Sequence, residues 1–293
     1  GAFIQTYNTD EKYNRKAYAY RIFANYLNDK ISVFTSTQRS PSAFEPEVGL
    51  MRRRNFREYF GQFAWQPRPN QEGWLGWIRQ FSFSPAQITY VQYDDTGNLQ
   101  SFEYEIRFLG LETRSGESLQ LSHSLVGEGL IEDFEISDGV LIIADTYWWQ
   151  QWQAEVATFA GRTLSLESSI SWGEFYNGNS FQTRNQLLWR ANRHLNLNLR
   201  YENNKIELPE GMLTTNLLGS RLEYAVTPDI FGSLLGQWNS AQEELNFNFR
   251  LQVIPKIGTD FFLIVNQIYN TEAKMLEPER GTILGKLIWR FTI

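Results

Sequence analysis

The sequence of 293 residues contains no cysteine, which removes disulfides, thiolate nucleophiles and cysteine-ligated metals together. Histidine is almost as scarce: His123 and His194 are the only two, far apart in the chain, so a histidine-built metal site is not expected. No run of 18 or more apolar residues occurs, and a helical membrane span is thereby excluded. There is no glycine-rich phosphate loop, dinucleotide fingerprint or zinc-ligand spacing, so no cofactor is expected. A formal net charge of -6 speaks against a general nucleic-acid binder. The start at Gly1 also lacks the positively charged and apolar segments of an export signal. An exported protein needs one, so the chain is expected to be a mature or partial piece of a longer product.

What is abundant is aromatic side chain: 21 Phe, 14 Tyr and 10 Trp, 15% of all residues. Soluble domains seldom carry so much Trp and Tyr, whereas transmembrane β-barrels set both in girdles at the two membrane interfaces. A mean hydropathy of -0.41 is no objection, because every second residue of a barrel strand faces a polar lumen.

The dominant period is two, the period of a β-strand. Leu245, Phe247, Phe249, Leu251 and Val253 share one face of their segment, and Asn246, Asn248, Arg250 and Gln252 share the other. Leu195, Leu197, Leu199 and Tyr201 oppose Asn196, Asn198, Arg200 and Glu202 in the same way. Residues 102–108 and 164–172 repeat it. The alternating runs reach roughly 9–13 residues, the length a tilted strand needs to cross a bilayer. About sixteen such runs fill the chain if 74–94 is one strand with Pro85 at a bulge, where proline is tolerated. The fold class expected is all-β: an antiparallel transmembrane β-barrel of the outer-membrane type, one domain over 1–293, with roughly sixteen strands.

The links between runs support this count. Those near 28–30, 160–162, 192–193, 227–229 and 255–259 are short, while 41–55, 128–144, 206–211 and 271–279 are longer. Outer-membrane barrels have short periplasmic turns and longer outside loops, so the C-terminus is expected on the periplasmic side. The last run sets Ile283, Gly285, Leu287, Trp289, Phe291 and Ile293 on one face, and Lys286, Arg290 and Thr292 on the other.

Several segments together carry a resemblance. They are Phe44-Glu45-Pro46-Glu47-Val48-Gly49-Leu50 with Arg52-Arg53-Arg54-Asn55-Phe56-Arg57-Glu58-Tyr59, then Glu132-Asp133-Phe134-Glu135-Ile136, Ser171-Trp172-Gly173-Glu174-Phe175-Tyr176, and Phe249-Arg250-Leu251 leading to Phe262-Leu263-Ile264-Val265-Asn266. The chain resembles, over most of its length, the C-terminal barrel domain of large uncharacterised bacterial proteins with an N-terminal domain similar to family 9 carbohydrate-binding modules. The resemblance implies a bacterial outer-membrane address, further strands ahead of Gly1, and saccharides as a solute class.

The charged residues expected to face the lumen are Glu103, Glu105, Arg107, Glu155, Glu167, Arg184, Arg200, Arg221, Glu223, Arg250, Lys286 and Arg290. A web of ion pairs that fills and stiffens the lumen is one reading, and a mild filter for polar solutes is the other. Paired carboxylates also raise acid–base chemistry, and the His123-Ser124 dipeptide raises a hydrolase. Such constellations are set by space rather than sequence, so no enzyme activity is expected. In the 41–55 loop, Arg52, Arg53 and Arg54 either clamp an anion or sugar acid at the channel mouth or meet lipopolysaccharide phosphates or internal glutamates. The 128–144 loop carries Leu130, Ile131, Phe134, Ile136, Leu141 and Ile142 among acids, too apolar to stand free in water. It either folds inward as a constriction or docks a partner, and the alternating acids favour the partner. The functions expected are a passive or gated channel for small polar solutes or, alternatively, a plugged barrel that anchors a complex. The partners expected are outer-membrane lipid, lipopolysaccharide, and other outer-membrane or periplasmic proteins.

Overall fold

The computed structural model describes residues 2–8, 16–44, 53–137, 139–256, 258–272 and 276–290. Gly1, Arg52, and the closing Phe291, Thr292 and Ile293 therefore lie outside the described residues.

Among the described residues there is no helix. The strands are β1 (Ala2–Asn8), β2 (Lys16–Leu27), β3 (Ile31–Ser40), β4 (Phe56–Trp65), β5 (Ile78–Phe81), β6 (Phe83–Tyr93), β7 (Leu99–Thr113), β8 (Ser118–Gly129), β9 (Phe134–Ser137) and β10 (Val140–Ile142). There follow β11 (Thr146–Ala157), β12 (Leu164–Phe175), β13 (Gly178–Arg190), β14 (Leu195–Leu208), β15 (Gly211–Thr227), β16 (Ile230–Asn239), β17 (Glu244–Lys256), β18 (Thr259–Asn270) and β19 (Glu277–Trp289). All but β9 and β10 join one large antiparallel sheet. The ladders follow chain order, from β1–β2 through β4–β6 and β8–β11 to β18–β19, with β5 paired to β7.

β5 and β6 are one strand with an interruption. Both pair with β7, and Ser82 between them still donates its backbone N–H to Gly110 O at 2.7 Å. The sheet therefore counts sixteen strands. Pro85 sits where the β6–β7 register slips between Ser84 and Gln87, so its missing N–H falls at a bulge.

The register builds two unlike faces. Leu197, Leu222, Leu234, Phe249, Val265 and Ile283 pair in sequence across β14 to β19. One residue along, Asn198, Arg221, Leu235, Asn248, Asn266 and Thr282 form the neighbouring row on the other face. Alternation in the sequence thus becomes an apolar side and a polar side, because a one-residue step turns a side chain through the sheet. The apolar side is not covered: Leu166, Leu199, Leu222, Leu234, Phe249 and Phe261 are each 37–41% exposed, on six different strands.

No ladder joins β19 to β1 among the described residues, so the sheet has two edges, and every residue of β19 is exposed. What is established is a sixteen-strand antiparallel sheet; the expected closure into a barrel goes beyond it.

Link lengths sort less cleanly than the sequence suggested. The run at 206–211 is mostly strand, with a connection of 209–210 alone, and 66–77 is a long link at the short-turn end. The 41–55 link is long as expected, and the link expected at 128–144 runs over 130–145. At the opposite end, the turn after β7 is stapled. Thr113 and Ser115 donate hydroxyl hydrogen bonds to Glu117, and Arg162 from the next turn pairs with its other oxygen. The hydroxyls of Ser115 and Thr113 hold the Glu117 carboxyl down to about 2, from an ordinary value of 4.5. A depressed carboxyl stabilises the fold above its unfolded value, and that contribution fades as pH falls from 4.5 towards 2. The protection factors of the 113–117 amides, taken against the intrinsic exchange rate at each pH, should therefore fall between pH 5 and pH 2.5 in the wild type but not in Glu117→Gln. An equal fall in both would remove the staple from the account.

Candidate functional site

The polar side of the sheet gathers the charges read from the sequence. The pairing register puts Glu155, Ser169, Arg184 and Glu202 in one row, and Glu167, Gln186, Arg200 and Gly219 in the next. Asn196, Glu223, Ser233 and Arg250 form a third. Glu103, Glu105 and Arg107 stand on the same side of β7, opposite Val126, Ser124 and Ser122. Lys286 pairs with Phe262 on this side, and Arg290 follows the end of β19.

Two concavities occupy this side. The larger, about 360 Å³, is lined by Glu155, Glu167 and Glu202, Arg184 and Arg200, and by Ser118, Gln120, Gln153, Ser169 and Gln186. Glu202 lies 3.8 Å from Arg184 and also pairs with Arg200, while Gln153 donates to Glu155 at 2.6 Å. The second, about 300 Å³, shares Gln186 and Arg200 and adds Asn198, Arg221 and Gln237 with no carboxylate. Arg200 therefore separates an acid-bearing hollow from an arginine-lined one. The ion pairs are exposed, with Arg184 and Arg200 side chains 58% and 59% accessible, so they contribute little to stability. Amides and hydroxyls beside weakly held charges offer both donors and acceptors to a hydroxylated solute.

The ion-pair web is only partial. Arg107 lies 3.5 Å from Glu105, and Arg250 sits over the Phe262 ring at 5.7 Å. Glu103, Glu167, Arg221 and Glu223 have no ion pair among the described residues.

At the long-loop end, β9 and β10 form a hairpin within the 128–144 link. Val140 and Ile142 are buried with Ile206 and Leu208 of β14, and Leu130, Ile136, Tyr147, Phe175, Tyr176 and Leu213 pack around them. Ile206 and Leu208 share the face of Arg200 and Glu202, so the hairpin leans over the polar side. Gly211 leaves the room: a Cβ there would stand 3.0 Å from Val140 Cγ2. Gly139 turns the hairpin at φ +78°, a conformation side chains resist. The acids mostly serve the hairpin itself. Asp133 accepts from Ala144 N and Glu135 from Gly139 N, both at 2.8 Å. Alternating acids, which favoured a partner in the sequence, here close a local turn. The other face of the segment stays open, with Ile131, Phe134, Leu141 and Ile143 exposed. Tyr176 donates to Glu128 at 2.7 Å, and burial together with that carboxylate pushes its hydroxyl well above the usual range.

The two histidines stand apart from the polar hollows. His123 pairs with Ile106 and Trp152 on the apolar side, whereas Ser124 pairs with Glu105 on the polar side, so the two cannot share a site. His194 is a turn residue whose Nδ1 contacts Ala225 O at 2.7 Å.

Sequence reasoning missed one constellation. Arg39 and Arg57 face each other across β3 and β4, and both bind Asp94, just past β6. Burial works against the Asp94 charge, but the two guanidinium groups hold its carboxyl below the usual range. The signal was available: both arginines fall on the apolar parity of their strands. Of the arginine run in the 41–55 loop, Arg53 and Arg54 are exposed, while Arg52 lies outside the described residues. No family model matches the sequence and no curated protein matches it either, so the resemblance to the barrel domains rests on its motifs alone and the function must be argued from this geometry.

Proposed function

We propose that the chain is a bacterial outer-membrane β-barrel whose polar side lines a passage for small polar solutes. The observation that carries this reading is the continuous, uncovered apolar side of a sixteen-strand sheet backed by charges and amides. An apolar surface of that extent is costly in water and belongs against lipid. With sixteen strands, β1 and β19 run antiparallel, so their free edges can pair and close the sheet. A barrel of this size holds an aqueous lumen unless loops plug it. The hollows around Arg200 suit hydroxylated solutes, saccharides among them.

A second reading, a membrane anchor for a larger complex, draws on the exposed Ile131, Phe134, Leu141 and Ile143 at the long-loop end. Planar bilayers separate the two. A channel gives unitary conductance, and Arg200→Glu with Arg221→Glu shifts its selectivity towards cations. An anchor gives a silent bilayer although the protein is inserted, and that result would overturn the channel. Fractionation with the inner membrane or the cytosol would overturn the location itself.

A further inference from the structure

Arg39 and Arg57 occupy an unusual place. Two like charges directly opposite on neighbouring strands destabilise a sheet unless something bridges them. Asp94 does so. Arg39 grips it with Nε to Oδ1 at 2.6 Å and Nη2 to Oδ2 at 2.9 Å, and Arg57 adds Nε to Oδ1 at 2.6 Å. The Asp94 side chain is only 7% accessible, against 37% for Arg57. One arginine would have neutralised the carboxylate; the second leaves the cluster with a net positive charge. The Nη atoms of Arg57 make no hydrogen bond among the described residues, and its guanidinium is fixed in orientation by the bond at Nε.

The surroundings are those of an interface. Tyr59 and Tyr90 pair one rung further into the apolar side, with ring centroids 6.3 Å apart. Tyr20 pairs with Arg39, and the Tyr18 ring lies under the Arg39 guanidinium at 4.8 Å. An aromatic layer below and an arginine pair above, on an apolar side, is the order met on leaving hydrocarbon for headgroups. Exposed Arg53 extends the positive region towards the 41–55 loop. With Nε engaged, the planar Arg57 guanidinium keeps its Nη1–Nη2 edge, a fork that suits two oxygens of a phosphate.

We propose that Arg39 and Arg57, held by Asp94, bind the phosphate of a phosphorylated outer-leaflet glycolipid of the lipid A class. This rests on the outer-membrane reading above. Asp94 sets the donors and carries off part of the charge; Arg57 makes the contact, and Tyr59 and Tyr90 meet the first part of the acyl chains.

The test uses the whole chain in detergent micelles, with thermal unfolding followed during titration. Three probes are compared at equal phosphate: diphosphorylated lipid A, its dephosphorylated form, and inorganic phosphate. Only diphosphorylated lipid A should raise the midpoint. Its affinity should fall about tenfold in Arg57→Gln, the loss of one charge-assisted hydrogen bond, and stay unchanged in Arg114→Gln at the opposite end. Arg57→Lys keeps the charge without the fork and should fall in between. Should Arg57→Gln not fold, the wild-type affinity must still drop steeply between 50 and 500 mM salt. Equal protection by inorganic phosphate, or by the dephosphorylated lipid, would overturn the lipid phosphate as ligand. So would a salt-independent affinity, or one unchanged in Arg57→Gln. Lipid A binding by a protein that fractionates away from the outer membrane would overturn the location and leave the site standing.

Discussion

Phe249→Arg should cost about 2–4 kcal/mol and impair insertion, while Asn248→Arg, one residue away, should be nearly silent. The figure is that for a cation at the lipid-facing midplane of a barrel. Phe249 sits mid-strand in β17, between Leu234 and Val265, with no polar neighbour along its row. An arginine there has nothing to pair with and no short path to water. Asn248 lies on the opposite side, beside Asn266, to which its amide donates. An arginine at 248 loses that one hydrogen bond and gains a surface already rich in charge. The measurement is denaturant unfolding in lipid vesicles, with the unboiled protein's gel mobility as a check on folding. Equal tolerance at the two positions would mean that the exposed apolar side does not meet lipid.

That prediction was within reach of the sequence, and the reason is physical. A strand has an integral side-chain period, so facing is written into every second residue and survives any error in the strand ends. The rows Leu197 to Ile283 and Asn198 to Thr282 follow from parity once neighbouring strands are paired in order. Loops have no such period. In the 206–211 region the alternation inverts, with Ile206 and Leu208 on the polar parity of Arg200 and Glu202. Yet Ile206 and Leu208 are strand residues that serve as the floor for another loop. That use is visible only after the hairpin has docked. The hairpin itself needed Gly139 in a left-handed turn and two acids capping nearby backbone groups, short-range features without a strong pattern. The Arg39–Asp94–Arg57 cluster was missed for a related reason. Asp94 lies far from Arg39 in sequence, and two arginines on the wrong parity read as noise in the alternation until a carboxylate is found between them.

The second large effect is expected at Ile142. It is 2% exposed, and truncating a buried isoleucine to alanine costs about 2–5 kcal/mol, part transfer and part cavity. Little else ties the hairpin down. It has its own short ladder, the Leu130 N to Asp145 O hydrogen bond at its base, and the apolar cluster with Val140, Ile206 and Leu208. Losing most of the cluster should therefore free the hairpin before it unfolds the sheet, whose ladders do not depend on it. Ile142→Ala should expose 131–143 to protease while gel mobility and the global unfolding midpoint stay near wild type. If the hairpin narrows the passage, conductance should rise in Ile142→Ala and rise further when 131–143 is deleted. The exposed Leu141, next in sequence but on the opposite face, is the control: Leu141→Ala should change neither protease sensitivity nor conductance. A hairpin that loosens in Ile142→Ala with conductance unchanged would show that it stands beside the passage rather than across it. The exposed Ile131, Phe134, Leu141 and Ile143 would then serve contacts beside a passage that stays open, and the hairpin would be no constriction.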